Sequence, residues 1–232
     1  MLARILEVEA MDSLAEAVDY DAMDHRGVNR QFVDDFLDLL AEPSPAETPA
    51  PPARRQVLDL GTGTAQIPIE LCRRGDGFAI TAVDMSHAML QIAQKNVLCA
   101  GLTAAINLDQ VDAKALPYAA GMFDAVISNS LIHHIPKPLA ILREVVRVVR
   151  PGGRVFLRDL LRPDDEQTVA HLVETYAADA NAHQRQMFAD SLHAALTLAE
   201  IRELLAEAGL PPRWAVPSSD RHWTAAGRIA AT

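Results

Sequence analysis

Val57-Leu58-Asp59-Leu60-Gly61-Thr62-Gly63-Thr64-Ala65 sets a glycine turn between a short apolar run, Gln56 to Gly61, and a helical pattern over Thr64 to Arg74. An apolar run of this length that ends in glycine reads as a buried strand, and the glycines let backbone come close to a ligand at the start of the helix. Two glycines in such a turn suit several nucleotide-binding folds, but a dinucleotide-binding turn wants a further glycine where Gln66 stands. Asp59 narrows the choice. A carboxylate two residues before the first glycine repels a pyrophosphate and attracts an ammonium. The ligand at this turn is therefore expected to carry a positive charge.

Working outward, strand and helix patterns alternate. Phe78 to Asp84 reads as a second strand ending in an acid, and Ser86 caps a helix running to Ala100. Ala104 to Val111, Phe123 to Ser128 and Arg154 to Leu160 read as strands, and a helix over Lys137 to Val149 is closed by Pro151-Gly152-Gly153. Helices follow over Asp164 to Ala180, His183 to Ala195 and Thr197 to Ala208, and then two β-like runs, Arg213 to Val216 and Arg221 to Ala226. This order predicts an α/β, doubly wound (Rossmann-like), seven-stranded, mostly parallel sheet. Upstream, Val28, Phe32, Val33, Phe36, Leu37, Leu39 and Leu40 recur at helical spacing, implying an amphipathic helix from Asn29 to Ala41. Residues 42–53 hold five prolines, which block helix and remove backbone donors. The expected organisation is an N-terminal helical cap at 1–41, a Pro-rich linker at 42–53 and the sheet domain at 54–232, with a helical insertion after the fifth strand at 161–195.

Composition limits the partners. The chain has 232 residues, half of them hydrophobic, and a net charge of −10; residues 1–41 carry ten acids against Arg4, Arg26 and Arg30. That acidity disfavours nucleic acid as a partner. It suits a solvated helical face or a cover over a cationic ligand, and an acidic amphipathic N-terminus serves a homodimer interface as readily as a lid. The longest uncharged run, Asn96 to Leu108, has 13 residues, short of the roughly 20 that a membrane helix needs. MLARILEVEAMD mixes acids into its apolar residues, unlike a signal peptide, so a cytoplasmic location is expected. Cys72 and Cys99 lie 27 positions apart with no C-x-x-C spacing, so neither a disulfide framework nor a metal site is read from the sequence.

The stretch Asp59-Leu60-Gly61-Thr62-Gly63-Thr64-Ala65 resembles the first motif of class I S-adenosylmethionine-dependent methyltransferases, with Ala65 in place of the third glycine. Further motifs fall at the family's spacing. Asp84 lies 21 residues after Gly63, Asp112-Ala113 follows the third strand, and Phe123 to Ser130 resembles the fourth-strand motif. Arg147-Val148-Val149-Arg150-Pro151-Gly152-Gly153 resembles the V-L-x-P-G-G segment, with Val149 where leucine is usual. The resemblance covers about residues 56 to 160 and points to the small-molecule branch that includes ubiquinone and menaquinone biosynthesis methyltransferases. It implies S-adenosyl-L-methionine as cofactor, held by Asp59, Gly61, Thr62, Gly63, Asp84, Met85, Asp112, Ala113 and Asn129, with Asp84 on the ribose hydroxyls and Asp112 near the adenine amino group. Tyr20 stands where related enzymes cover the cofactor with a tyrosine. Asp59, Asp84 and Asp112 also have plainer readings as turn and helix caps.

For the methyl acceptor, Asn129-Ser130-Leu131-Ile132-His133-His134 follows the fourth strand and lacks the N-P-P-aromatic sequence of enzymes that methylate base amines. The resemblance puts one histidine near the methionine end of the cofactor. His134, with His133 as the adjacent candidate, could take a proton from the acceptor, or either could be a structural histidine. Arg158, Tyr176, His183 and Arg185 are the expected acceptor contacts, with Arg158 and Asp159 equally readable as forming structural ion pairs with neighbours. The leading expectation is methyl transfer to a small molecule by in-line displacement. The alternatives are a non-catalytic cofactor-binding module and an NAD-dependent oxidoreductase, the latter opposed by Asp59 and Gln66.

Overall fold

The computed structural model describes residues 2–7, 13–42 and 54–230. Nearly all of the Pro-rich linker lies outside the described residues. Helices α1 (Leu14–Ala22) and α2 (Arg26–Ala41) precede β1 (Arg55–Leu60), α3 (Gln66–Arg73), β2 (Phe78–Asp84), α4 (His87–Cys99) and β3 (Ile106–Gln110). Then come β4 (Phe123–Asn129), a 3-10 turn at Ile132–His134, α5 (Leu139–Val148) and β5 (Val149–Leu160). Helices α6 (Glu166–Tyr176), α7 (Ala182–Ala194) and α8 (Leu198–Glu207) lead to β6 (Ala215–Pro217) and β7 (His222–Arg228).

The seven strands lie in the order β3-β2-β1-β4-β5-β7-β6. Strands β1 to β5 run parallel, and β7 is antiparallel to both β5 and β6. The doubly wound, mostly parallel sheet expected from the sequence is thus the observed one. Strand order reverses between β1 and β4, so the crevice at their carboxyl ends is the place where such sheets take ligands.

Side chains of alternate strand residues point to opposite faces, which splits the core in two. On one face Leu58, Leu60, Val126 and Leu157 meet Ile141, Leu142 and Val145 of α5 and Ile201 and Leu205 of α8. On the other, Val57, Ile80, Ile127 and Phe156 meet Ile69 and Leu71 of α3, Ala93 and Val97 of α4, and Phe32, Val33 and Phe36 of α2. The ring of Phe32 stands edge-on to Phe156 at 4.9 Å. The apolar face read at Val28 to Leu40 therefore packs directly on the sheet, so α2 is part of the core layer of the domain that it precedes. Helix α1 rests on α4 through Ala17 and Tyr20 against Ala88, Met89 and Ile92. A strand longer than expected, β5 begins at Val149 and is interrupted at Pro151-Gly152-Gly153, where Gly152 adopts φ +75° and the register against β4 shifts.

Candidate functional site

The glycine turn after β1 is shaped by positive backbone angles. Gly61 has φ +68°, and a Cβ there would meet Leu131 Cδ1 at 2.8 Å and Leu131 Cβ at 2.9 Å, so only glycine fits. Ala65, which replaces the family's third glycine, sits at φ +62° and opens α3 in the left-handed region. For a residue with a Cβ that conformation costs roughly 1–2 kcal/mol, which is the physical reason that glycine is favoured there.

Asp59 and Asp84 flank this turn. Asp84 Oδ2 accepts a hydrogen bond from Gly63 N at 2.8 Å, and Oδ1 accepts one from Ser86 N at 2.9 Å, while the Ser86 hydroxyl caps α4 by accepting from Met89 N. The turn, the end of β2 and the start of α4 are thereby tied to one carboxylate. Asp59 is 2% exposed and forms no ion pair among the described residues. Burial pushes its carboxyl up to about 7; Thr62 hydrogen bonding lowers it and the Asp84 charge raises it. A buried acid in this condition has lost its hydration without gaining a cation among the described residues.

A narrow cavity of about 30 Å³ lies over the turn, lined by Tyr20, Asn29, Asp59, Gly61, Thr62, Thr64, Gln66, Ile67 and Asn129. The Thr64 hydroxyl projects buried and without a hydrogen-bond partner among the described residues. Tyr20 approaches Gly63, with its ring carbon 3.7 Å from the position that a Cβ would take. Burial, then Asp84, Asp59 and Asp21, push the Tyr20 hydroxyl up to about 12, so it remains a donor facing three acids. Beside Asp84, Met85 is 38% exposed. Asp112 holds its own turn, accepting from Lys114 N at 2.9 Å, and Ala113 is buried. Val111 N bonds Asp84 O at 3.0 Å, so the Asp112-Ala113 edge lies against the end of β2. Ser130, next to Asn129, adopts φ +56°, a strained angle of the kind that clusters at functional sites.

An amide relay missed by the sequence reading joins the N-terminal helices to this turn. Asn29 donates to Gln66 Oε1 at 3.2 Å, Gln66 to Asp21 Oδ1 at 3.0 Å, and Asn96 both to Asp21 Oδ1 at 2.9 Å and to Thr64 O at 3.1 Å. These partners lie tens of residues apart on four helices and a turn, so no local pattern marks them.

The histidines occupy a different place. His133 is buried, with Nδ1 2.5 Å from Asp159 Oδ1. Burial alone lowers its pKa, but Asp159 and Glu7 outweigh that, so its pKa is raised; burial raises that of Asp159, but His133 holds it lowered. Asp159 also accepts from Ile132 N, His133 N and Leu160 N. His134 Nδ1 lies 3.1 Å from Glu7 Oε1. Neither histidine lines the cavity described above.

The expected acceptor contacts are not brought together. Arg158 is buried between Phe32 and Phe156, donates to Thr224 Oγ1 at 2.8 Å and pairs with Asp35 Oδ2 at 2.5 Å. Its charge is paired with Asp35 of α2 and Asp159 is paired with His133, which fits the structural reading in which each pairs with a neighbour. Tyr176, at the end of α6, is committed to Asp220 at 2.6 Å and lies under Arg221. Arg185 pairs with Glu174 at 2.7 Å, and His183 is exposed at the start of α7. None of the four lines the cavity.

Residues 58–157 match the methyltransferase domain family. A demethylmenaquinone methyltransferase of Desulfitobacterium hafniense is 35% identical over 108 residues, covering 46% of this chain and 43% of that protein. The 27-O-demethylrifamycin SV methyltransferase of Amycolatopsis mediterranei is 29% identical over 158 residues, covering 68% of this chain and 54% of that protein. The chain thus spans about half the length of these curated relatives. Among solved structures, a SAM-dependent methyltransferase from Aquifex aeolicus superposes with TM-score 0.67 at 15% identity, covering 95% of this chain and all of that one, a likeness of fold. Glycine turn, paired acids and the match to the methyltransferase domain family coincide on the same segment, residues 58–157, within a fold shared with SAM-dependent methyltransferases.

Proposed function

We propose that this protein transfers the methyl group of S-adenosyl-L-methionine to a small-molecule acceptor. The observation that carries the reading is Asp59, a buried carboxylate with no cation among the described residues, at a turn whose glycine admits no side chain. An NAD pyrophosphate at the same turn would face this acid and be repelled.

When bound, the cofactor supplies a sulfonium methyl, an electrophile that needs little chemical help. What the chain supplies is position and dryness. Asp59 holds the ammonium, Asp84 keeps acceptor lone pairs for the ribose hydroxyls, and Met85 offers an apolar surface beside them. Tyr20 covers the turn, and the relay from Asn29 through Gln66 to Asp21 and Asn96 fixes the helices that carry this cover. Exclusion of water and alignment of the acceptor account for rate in such a displacement. His134, the catalytic candidate from the sequence, lies 3.1 Å from Glu7 and does not line the cavity, and the proposed transfer does not depend on proton removal by it. The small-molecule class is supported by the quinone and rifamycin methyltransferases among the relatives, by the absence of a base-stacking N-P-P-aromatic sequence, and by the net charge of −10.

Calorimetric titration with S-adenosylhomocysteine beside NAD tests the reading. Binding of the first alone is expected, and Asp84→Ala should weaken it by about 1.5–3 kcal/mol through loss of charged hydrogen bonds. Binding of NAD alone, or of neither, would overturn it.

A further inference from the structure

Glu7, His133 and His134 point at one another from two distant parts of the chain. Glu7 Oε1 lies 3.3 Å from His133 Nε2 and 3.1 Å from His134 Nδ1, and the three ligand-type atoms all fall within 4.8 Å of one another. Bonds of about 2.0–2.1 Å at tetrahedral angles place the ligand atoms of a zinc ion about 3.3 Å apart, so two of the three edges already have the required length.

The outer contacts are those of a built site. His133 Nδ1 lies 2.5 Å from Asp159 Oδ1, which directs Nε2 toward the Glu7 carboxylate. A carboxylate behind the ligating imidazole is also the usual device for orienting a metal-bound histidine. Glu7 is steadied by the Ser191 hydroxyl, which donates to Oε1 at 3.2 Å. Its segment is anchored by Arg4, which donates to Ala194 O at 2.7 Å and to His133 O and Ile135 O at 3.0 Å. The side chains of Glu7 and His134 keep 18% and 16% exposure.

We propose that Glu7, His133 and His134 form a binding site for a divalent metal of the zinc class, with Asp159 orienting His133. Two imidazoles and a carboxylate are the mixed nitrogen and oxygen set that such ions favour over magnesium or calcium. The bound ion joins residues 2–7 to the Ile132–His134 turn and the end of β5. No motif spacing signals it, because Glu7 and His133 are 126 positions apart.

The test uses the full chain, stripped with chelator and titrated with Zn²⁺ against a chromophoric zinc indicator, with Co²⁺ absorption as a reporter of coordination. One ion per chain is expected, with a tetrahedral or five-coordinate Co²⁺ spectrum. Glu7→Gln and His134→Asn should each weaken Zn²⁺ affinity at least about 10-fold, the lower end of the loss seen even for outer contacts. His171→Asn, on the surface of α6, should leave it unchanged. Zn²⁺ should raise the melting temperature of the wild type but not of Glu7→Gln, whose fold is verified by retained binding of S-adenosylhomocysteine. No stoichiometric binding by the wild type, meaning that a proton alone bridges the three groups, or equal affinity in Glu7→Gln and His134→Asn, would overturn the proposal.

Discussion

Asp59 concentrates the energetic conflict of the site. Its carboxyl is pushed up to about 7 in the folded protein, whereas in the unfolded chain it titrates near the usual aspartate value of about 3.9. The folded state therefore holds its proton more tightly, and stability is lost as pH rises from about 4 through 7. Asp59→Asn removes that conflict, so in thermal melts above pH 7 without ligand the variant should be more stable by about 2–4 kcal/mol. The same variant should lose most of its affinity for S-adenosylhomocysteine. In the wild type, affinity should increase with pH up to about 7 and then level off, because the ligand ammonium needs the ionised acid. Calorimetry in buffers of different ionisation enthalpy would detect the proton released on binding. A flat pH profile would show that Asp59 does not meet the ammonium. Asp59 was legible in the sequence from its position before the turn, but its lack of a cation required the fold.

Among the elements, α2 shows most clearly how an amphipathic pattern is completed by distant partners. Its apolar stripe was readable, yet that it would lie on Phe156 and pair Asp35 with Arg158 was not, since those residues are more than 120 positions away. Asp35→Ala leaves the Arg158 guanidinium, 10% exposed, without its partner. Because Asp35 itself is one-third exposed, the expected loss is about 1–3 kcal/mol in denaturant melts, below the range for fully buried pairs. At the antiparallel edge, Gly227 on β7 faces Trp214, and a Cβ there would fall 2.0 Å from Trp214 Cε2. Gly227→Ala must displace the indole, and urea melts should show a loss of about 1–3 kcal/mol from this overpacking. The sequence showed a β-like run over Arg221 to Ala226 without showing that an indole covers Gly227. Capping was the reverse case: the hydroxyls of Ser86 and Thr197 accept from the third helical residue as their local patterns require.

The whole molecule places the first motif at the point where strand order reverses, and the cover over it comes from α1 and α2. Among the described residues no helix is long and apolar enough to cross a membrane. A ligand that binds only the folded state stabilises it by mass action. At 100 times its Kd, S-adenosylhomocysteine should add about 2.7 kcal/mol and raise the melting temperature by roughly 5–10 °C, whereas NAD at equal concentration should not.

The sequence by itself determined the alternation of strands and helices, the glycine turn, the acids at Asp59 and Asp84, and the helix caps. Each of these is written within a few neighbouring residues, where backbone geometry and hydrophobic period act locally. Only the tertiary structure decided that Arg158 is paired with α2, that Tyr176 bonds Asp220 and Arg185 pairs with Glu174, and that Glu7 reaches the paired histidines. Those outcomes depend on which surfaces share a core and on which buried charges find partners. Burial makes an unpartnered charge costly enough to draw in groups from anywhere in the chain, and sequence distance carries no record of that choice.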